Sequence, residues 1–275
     1  MIRYGTNPIA WANDDDQSIG AHIPTEQILR EAGPVIGFDG IENGHRWPDD
    51  PQALKDLLGQ YGLAFISGWY STNLLVGSVE DEIAAVQPHL AKLKANGCTV
   101  CIVCECSNTV HGNPDVPVND RPRLTAEEMA AFGAKVEAFA AYLASQGVTL
   151  AYHHHMGTVV ESPEEIDAFM AATGPTTHLL FDAGHCAFGG GDPAAPFQVG
   201  EADGQDEGGA DGAEHAAAQL QENLRELGRL AAAGVAGGDD GLAGLHGERE
   251  ELGPLACTVQ THELRIERMA PACGP

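Results

Sequence analysis

Short apolar runs bounded by turn residues recur along the first two thirds of the chain and predict β-strands. Six such runs lie at 2–7, 36–42, 63–69, 99–105, 148–153 and 177–182. Between them, apolar residues recur at helical spacing. This alternation is typical of a parallel sheet whose strands are joined by crossover helices.

Capping residues predict where these helices begin and end. We expect N-terminal caps at Thr25, Ser78, Thr125 and Ser162, each followed by acidic residues in the first turn. We expect helix ends at Gly33-Pro34, Tyr61-Gly62, Asn96-Gly97, Gln146-Gly147 and Gly174-Pro175. Glycine readily adopts the left-handed conformation that closes a helix.

Two architectures fit this order, an open doubly wound sheet and a closed barrel. The turn after the first strand, residues 7–15, lacks the glycine pattern with which a doubly wound sheet binds phosphate. Polar residues instead follow the strands, at Asn13 to Asp15, Glu42, Glu105, His153 to His155, Asp182 and His185. Barrel enzymes carry their active sites at these strand ends, so we predict an α/β fold of the (β/α)8 TIM-barrel type.

The chain is strongly acidic. Its 275 residues carry a formal net charge of −26, which disfavours nucleic acid and anionic membranes as partners. No apolar run is long enough to span a bilayer and no signal peptide is apparent, so we expect a cytoplasmic protein. Seven cysteines, an odd number, form a poor disulfide framework and fit that compartment.

The composition changes after Asp192. From 193 to 275 more than a third of the residues are Gly or Ala, and lysine is absent. We therefore divide the chain into a barrel body, 1–192, with six strand-helix units, and an atypical acidic segment, 193–275, for which we expect partial disorder. Within it, 200–213 has the composition of a linker, 214–233 a helical pattern and 255–267 a strand pattern.

Histidines and a carboxylate at two strand ends form the sharpest chemical signal. His153 and His155 fall on one face of the fifth predicted strand and His154 on the other. Asp182 ends the sixth strand and His185 follows it. Together they suit a divalent cation or proton transfer near neutral pH. The alternatives are solvated or hydrogen-bonded histidines and an aspartate that caps a helix.

Other strand ends carry weaker signals. The four cysteines from Cys98 to Cys106 suit a zinc or iron–sulfur site by type, but an extended strand would split them between two faces, which favours buried thiols. Asn13 and Asp14 belong either to a cation site or to a solvated loop. Trp11 and Trp69 either stack on a sugar ring or pack.

Several stretches resemble the myo-inosose-2 dehydratase family of xylose isomerase-like TIM barrels. They are Asn7-Pro-Ile-Ala-Trp-Ala-Asn-Asp-Asp15, Gly40-Ile-Glu-Asn-Gly44, Gly68-Trp-Tyr-Ser71, Arg121-Pro-Arg-Leu-Thr125, Tyr152-His-His-His-Met-Gly-Thr158 and Leu179-Leu-Phe-Asp-Ala-Gly-His185. The resemblance covers residues 2–192. The triple-histidine and Asp-x-Gly-His stretches are its most diagnostic parts.

The resemblance implies a metal-assisted hydro-lyase that dehydrates scyllo-inosose to a deoxy diketo-inositol in inositol catabolism. It implies manganese or cobalt as the metal, and glutathione as a further requirement. By position, His153 and Asp182 are metal ligands, and His155, His185 and Glu105 are candidates for catalysis. The candidates for substrate binding are Trp11, Asn13, Asp14, Glu42 and Trp69.

The sequence departs from the family pattern at three places. Gly68 stands where the family has a lysine, and 193–275 contains neither the His-x-His-x-Lys-Asp motif of a seventh strand nor a strand that ends in the expected glutamate. We therefore expect the last two barrel units to be atypical or missing. Open sheet edges would then favour a homo-oligomer. A sugar isomerase or epimerase and a catalytically dead barrel remain alternative functions.

Overall fold

A computed structural model describes residues 3–14, 16–113 and 115–193, together with the backbone of 263–266. The predictions of a linker at 200–213 and a helix at 214–233 fall outside these ranges, as does most of the acidic segment 193–275. The division of the chain at 192 therefore stays a prediction.

The described strands form two sheets. The strands are β1 Gly5–Thr6, β2 Gly40–Ile41, β3 Ala64–Phe65, β4 Trp69–Thr72, β5 Val100–Glu105, β6 Thr149–His153, β7 Thr177–Asp182 and β8 Glu263–Ile266. Their order is β1-β2-β3 in one sheet and β4-β5-β6-β7-β8 in the other. All neighbours are parallel except β7 and β8, which are antiparallel. Each predicted strand segment, including 255–267, contains an observed strand.

Helices connect the parallel strands. They are α1 Thr25–Arg30, α2 Pro51–Gly59, α3 Val79–Ala85, α4 Gln87–Ala95, α5 Ala126–Ser145, α6 Pro163–Ala172 and α7 Ala183–Phe188. A π-helical turn, Glu31–Ile36, continues α1, and short 3-10 helices lie at Pro8–Ala10 and Val118–Asp120. No helix in the described ranges has the length and apolarity to cross a membrane.

The predicted strand 63–69 joins the two sheets. Its first part, β3, pairs with β2, and β4, which follows it after three residues, pairs with β5. Between them, the Ser67 carbonyl accepts a hydrogen bond from the Asn43 amide (2.9 Å), and the Ser67 hydroxyl donates to the Val100 carbonyl (3.1 Å). The segment from β3 to β4 thus connects the two sheets. With β3 and β4 counted as one position, the parallel strands β1 to β7 occupy six successive positions of a barrel.

Alternate strand residues face different cores. Tyr152 of β6 is fully buried against Phe169, with ring centroids 4.2 Å apart, in the large core between strands and helices. Ala151 packs with Ile102 and Leu180 in a smaller core on the opposite face. His153, two residues after Ala151, follows on that second face.

Three of the four predicted caps are confirmed. Ser78 accepts a hydrogen bond from the Asp81 amide, and Thr125 and Ser162 form capping boxes with Glu128 and Glu165. The cap prediction at Thr25 is wrong. The preceding Pro24 occupies the cap position, and its carbonyl accepts the hydrogen bond of the Gln27 amide.

Two of the five predicted helix ends need correction. Gly62, Gly97 and Gly147 take positive φ angles of 71°, 76° and 79°, as expected. The helical segment does not end at Gly33-Pro34. It continues to Gly37, φ 90°, because the π-helical turn accommodates Pro34 inside it. The prediction at Gly174-Pro175 is right in position, because α6 ends at Ala172, but wrong in conformation. The extended Thr173 is the C-cap, and the Gly174 amide donates to Glu137.

A glycine of α5 permits close helix packing. A Cβ on Gly133 would lie 2.5 Å from the Ala172 carbonyl oxygen of α6, whereas a Cβ on Gly59 of α2 would meet no atom within 4 Å. We expect Gly133→Ala to lower the free energy of unfolding by about 1–3 kcal/mol, because the backbone of α6 must move. Gly59→Ala should leave it unchanged or raise it by up to about 1 kcal/mol. Urea unfolding compares the two, and equal effects would contradict the packing argument.

Candidate active site

Three donor side chains converge at the carboxyl ends of β6 and β7. His153 is the last residue of β6, Asp182 is the last residue of β7, and His185 lies three residues later in α7. One ligand atom from each lies within 4.8 Å of the others, and they form the one such group among the described residues. Parallel strands bring their carboxyl ends to one edge, which explains why residues far apart in sequence meet.

Asp182 is held as a carboxylate. Its Oδ1 accepts the His185 amide (2.8 Å) as the cap of α7, and its Oδ2 lies 3.4 Å from His153 Nε2. Burial opposes ionisation, but the contact with His153, the charge and amide of His185 and the charge of His153 outweigh it and hold the pKa of Asp182 well below its ordinary value. A negative oxygen therefore stands in this partly buried cluster at neutral pH.

The donor chemistry fits a divalent cation. Burial, the largest cause, lowers the pKa of His185 to about 4, so this imidazole is neutral near pH 7 and keeps a nitrogen lone pair. Imidazole nitrogen and carboxylate oxygen are both ligands of first-row divalent metals. The spacing of the donor atoms allows one ion to contact all three.

Aromatic rings surround this cluster. The His155 ring lies 3.9 Å from the His185 ring and 4.6 Å from the His111 ring, measured between centroids. Trp69 from β4 meets the rings of His153 and His155 edge to face, at 5.3 and 5.2 Å. The expected sharing of one face by His153 and His155 is thus observed.

One hydrogen bond determines the tautomer of His155. Its Nδ1 lies 2.8 Å from the Met156 carbonyl oxygen, which can only accept, so Nδ1 carries the proton and Nε2 the lone pair. Burial, followed by the charges of His185 and His153, lowers its pKa to about 2. At neutral pH this ring is uncharged.

His154 turns away from the other two histidines and supports them. It is fully buried, and its Nε2 accepts a hydrogen bond from the Asp182 amide (3.1 Å). Burial lowers its pKa to about 3. The neutral His154 ring thereby holds the backbone of Asp182 in position through this hydrogen bond.

Glu105 ties two loops together. One of its oxygens accepts from the Thr72 hydroxyl (3.0 Å) and the Leu74 amide (2.8 Å), and the other accepts from the Ser107 amide (3.0 Å) and hydroxyl (2.5 Å). The side chain is buried. These contacts give Glu105 a loop-ordering position, and its catalytic role stays a prediction.

Three candidates for substrate binding lie in the segment after β1. Trp11 donates from Nε1 to Glu31 (2.7 Å), and the Asn13 side chain accepts from a backbone amide of its own turn (2.8 Å). Asp14 accepts from the His45 amide (3.0 Å) and pairs with the His45 ring. These contacts order the loops above β1 and β2, and the binding roles stay predictions.

Glu42 and Trp69 have different surroundings. Glu42 at the end of β2 is buried and accepts from the Asn7 side chain (2.9 Å). Of the five candidates for substrate binding, Trp69 is the one whose ring is described in contact with the rings of His153 and His155. Its binding role also stays a prediction, but its place fits that role.

Three of the four cysteines in and around β5 are buried thiols, as expected. Cys98, Cys101 and Cys104 are buried and unbridged, and Cys106 is partly exposed. Burial raises the pKa of Cys98 to about 11 and that of Cys101 to about 12, so both stay protonated near pH 7. Neither thiol belongs to the group of donor atoms that could hold one ion among the described residues.

Sequence reasoning missed His111. It lies in the loop after β5 and packs against His155 and Trp69. The only available signal was its place in a loop that follows a barrel strand. Nothing in its spacing ties it to the turn after β6, where its partners lie.

The family model for a xylose isomerase-like TIM barrel matches residues 34–205. Among curated proteins, the chain is 43% identical over 194 residues to the rhizopine catabolism protein MocC of Rhizobium meliloti, covering 70% of this chain and 59% of that protein. It is 36% identical over 198 residues to an inosose dehydratase of Lacticaseibacillus casei, covering 71% and 66%. The matched part thus spans less than two thirds of each relative's length.

Two solved structures share this fold and are similar to this chain to nearly the same degree. One is an AP endonuclease, family 2, from Brucella melitensis, with a TM-score of 0.53, 16% identity, and 82% and 89% of the two chains covered. The other is a probable 3-DHS dehydratase from Bacillus anthracis, with a TM-score of 0.52, 14% identity, and 70% and 67% covered. At these identities the likeness concerns the fold alone.

Proposed function

This chain belongs to the xylose isomerase-like TIM barrel family, and from that membership we propose that it is a dehydratase of a keto-inositol that uses a divalent cation. The cluster of His153, Asp182 and His185 carries the proposal. The similarity to proteins named inosose dehydratase supports the same reaction class. We propose scyllo-inosose as the substrate and a deoxy diketo-inositol plus water as the products.

Each part of the cluster has a task in this reaction. His153 and Asp182, the ligands that the family resemblance implies, would hold the cation. His185, a candidate for catalysis in the sequence, would be a third ligand. A bound cation would supply the positive charge that stabilises the developing negative oxygen of a ketone. Nε2 of His155, which carries the lone pair, would take the proton from the carbon beside the ketone. The C–O bond on the next carbon then breaks, and its hydroxyl leaves as water with the proton that His155 returns. The resulting enol becomes the diketone. Trp69 offers an apolar ring against which the C–H face of an inositol ring packs.

The charge of the chain fits a neutral substrate. The net charge of −26 repels anions, and a ketone of a polyol carries no charge that would oppose binding. We propose manganese or cobalt as the metal on the family resemblance, which also implies glutathione. The histidine and carboxylate donors are compatible with such a divalent ion.

Product analysis tests this proposal and separates it from isomerisation. We expect the Mn²⁺-loaded chain to convert scyllo-inosose to a product lighter by one water, with diketone absorbance, and His155→Gln to reduce kcat by about 100-fold or more because the proton acceptor is lost. His22→Gln, which alters an exposed histidine, is the control. A product of unchanged mass would indicate an isomerase or epimerase, and absence of any product would contradict a catalytic role for this chain.

A further inference from the structure

The loop after β5 places a histidine that the proposed reaction does not use. The His111 ring lies 4.6 Å from that of His155 and 6.4 Å from that of Trp69, between centroids. It thus lies beside both the proposed proton acceptor, His155, and Trp69, against which the proposed function packs the substrate. The surroundings of His111 settle which of its nitrogens can accept a hydrogen bond.

Thr109 determines the tautomer of this ring. The Thr109 hydroxyl oxygen lies 2.9 Å from the Gly157 carbonyl oxygen and 2.5 Å from His111 Nδ1. A carbonyl oxygen cannot donate, so the single hydroxyl proton goes to Gly157. His111 Nδ1 must then be protonated and donate to the Thr109 oxygen, so that in the uncharged ring Nε2 carries the lone pair.

The turn at Gly157 holds this arrangement in place. Its carbonyl also accepts from the Val110 amide (3.0 Å), and its amide donates to Glu161 (2.6 Å), which lies 2.9 Å from Arg121 Nε. Gly157 takes a φ of +76°, and a Cβ at this position would lie 2.9 Å from the backbone nitrogen of His111. The loop after β5 is therefore fitted directly onto the turn after β6.

We propose that His111 is a substrate-binding residue whose Nε2 accepts a hydrogen bond from a hydroxyl of the polyol ring. Thr109 is a positioning residue, since it acts only through His111. The assignment rests on the proposed function for the identity of the ligand as a polyol. With the Nδ1 proton directed at Thr109, the uncharged form of the ring can only accept at Nε2, which selects a hydroxyl over a carbonyl or ether oxygen at that position of the polyol.

Nitrogen NMR of the histidine-labelled chain, with myo-inositol as the probe, tests the assignment without turnover. The His111 signal is identified by its loss in His111→Gln. We expect a protonated Nδ1, an unprotonated Nε2, and a shift of the Nε2 signal on addition of myo-inositol. A protonated Nε2 in the free chain, or an Nε2 signal that myo-inositol leaves unmoved, would overturn the proposal.

Kinetics with scyllo-inosose provide the second readout. Removing one neutral hydrogen bond to substrate should raise KM about tenfold in His111→Gln, with kcat changed less than about threefold. Thr109→Val should reproduce this effect and shift the tautomer, and Thr109→Ser should restore both. Turnover with an unchanged KM in His111→Gln would refute this inference alone, whereas an NMR response without any turnover would refute only the proposed reaction.

Discussion

Replacement of Arg121 by methionine should lower the free energy of unfolding by about 3–5 kcal/mol, because it leaves the buried Glu161 without its cation and removes the buried partner of Glu165. The Arg121 side chain is 1% exposed, lies 2.9 Å from Glu161 and 2.8 Å from Glu165, and donates to the Thr158 carbonyl (3.0 Å). It clamps the segment after β6 to the start of α6. Urea unfolding measures the change through the transition midpoint.

Arg123→Met is the matched control. Arg123 also pairs with Glu165, at 3.3 Å, but its side chain is 61% exposed. An exposed ion pair adds little, so we expect a change within about 0.5 kcal/mol. A second variant, Arg121→Met combined with Glu161→Gln, should recover part of the loss because one unpaired charge disappears. Equal effects of Arg121→Met and Arg123→Met would contradict the role of the buried network.

The same network makes the stability depend on pH in a defined direction. Burial opposes ionisation of Glu165, but the Ser162 amide, the Arg121 hydrogen bond and the Glu161 amide lower its pKa below the ordinary 4.5. Its stabilisation is therefore present above pH 4.5 and is lost as the pH falls through the lowered folded pKa.

Asp182→Asn should weaken the binding of Mn²⁺ by about 100-fold or more. Loss of a partner that only supports a ligand costs about 10–100-fold in metal affinity, and loss of a direct charged ligand costs at least as much. Asparagine keeps the side-chain oxygen that caps α7, where Asp182 accepts the His185 amide, so the fold should persist. Titration calorimetry with Mn²⁺ measures the affinity.

Asp50→Asn supplies the control for this prediction. Asp50 caps α2 by accepting the Ala53 amide, in the same way as Asp182 caps α7, and it lies outside the histidine cluster. We expect Mn²⁺ affinity to be unchanged in this variant. If both variants bind Mn²⁺ as tightly as the parent chain, Asp182 is not a ligand and the cluster is not the cation site.

The strand positions were predictable because local patterns determine them. The apolar run at Val100–Glu105 and the capping boxes of Thr125 and Ser162 are written in neighbouring residues. The predicted helix end at Gly33-Pro34 is wrong because Pro34 lies inside a π-helical turn. Such a turn depends on packing and not on the local sequence alone. Gly33 is needed there for a different reason, since a Cβ would lie 2.3 Å from the Tyr61 carbonyl oxygen.

The candidate site was predictable only in part for a related reason. His153 and Asp182 end parallel strands, so topology alone brings them to one edge. His111 reaches the same place through a loop whose course is determined by Gly157, which lies 46 residues later in the chain. Such a contact between two loops leaves no periodic signal in the sequence.

The dependence of scyllo-inosose dehydration on a divalent cation tests the central claim most directly. The chain treated with EDTA and then dialysed should form no diketone, and addition of Mn²⁺ or Co²⁺ should restore turnover in the parent chain but not in Asp182→Asn. Turnover that persists after removal of divalent metal, or that Asp182→Asn leaves intact, would contradict a dehydratase site built on His153, Asp182 and His185.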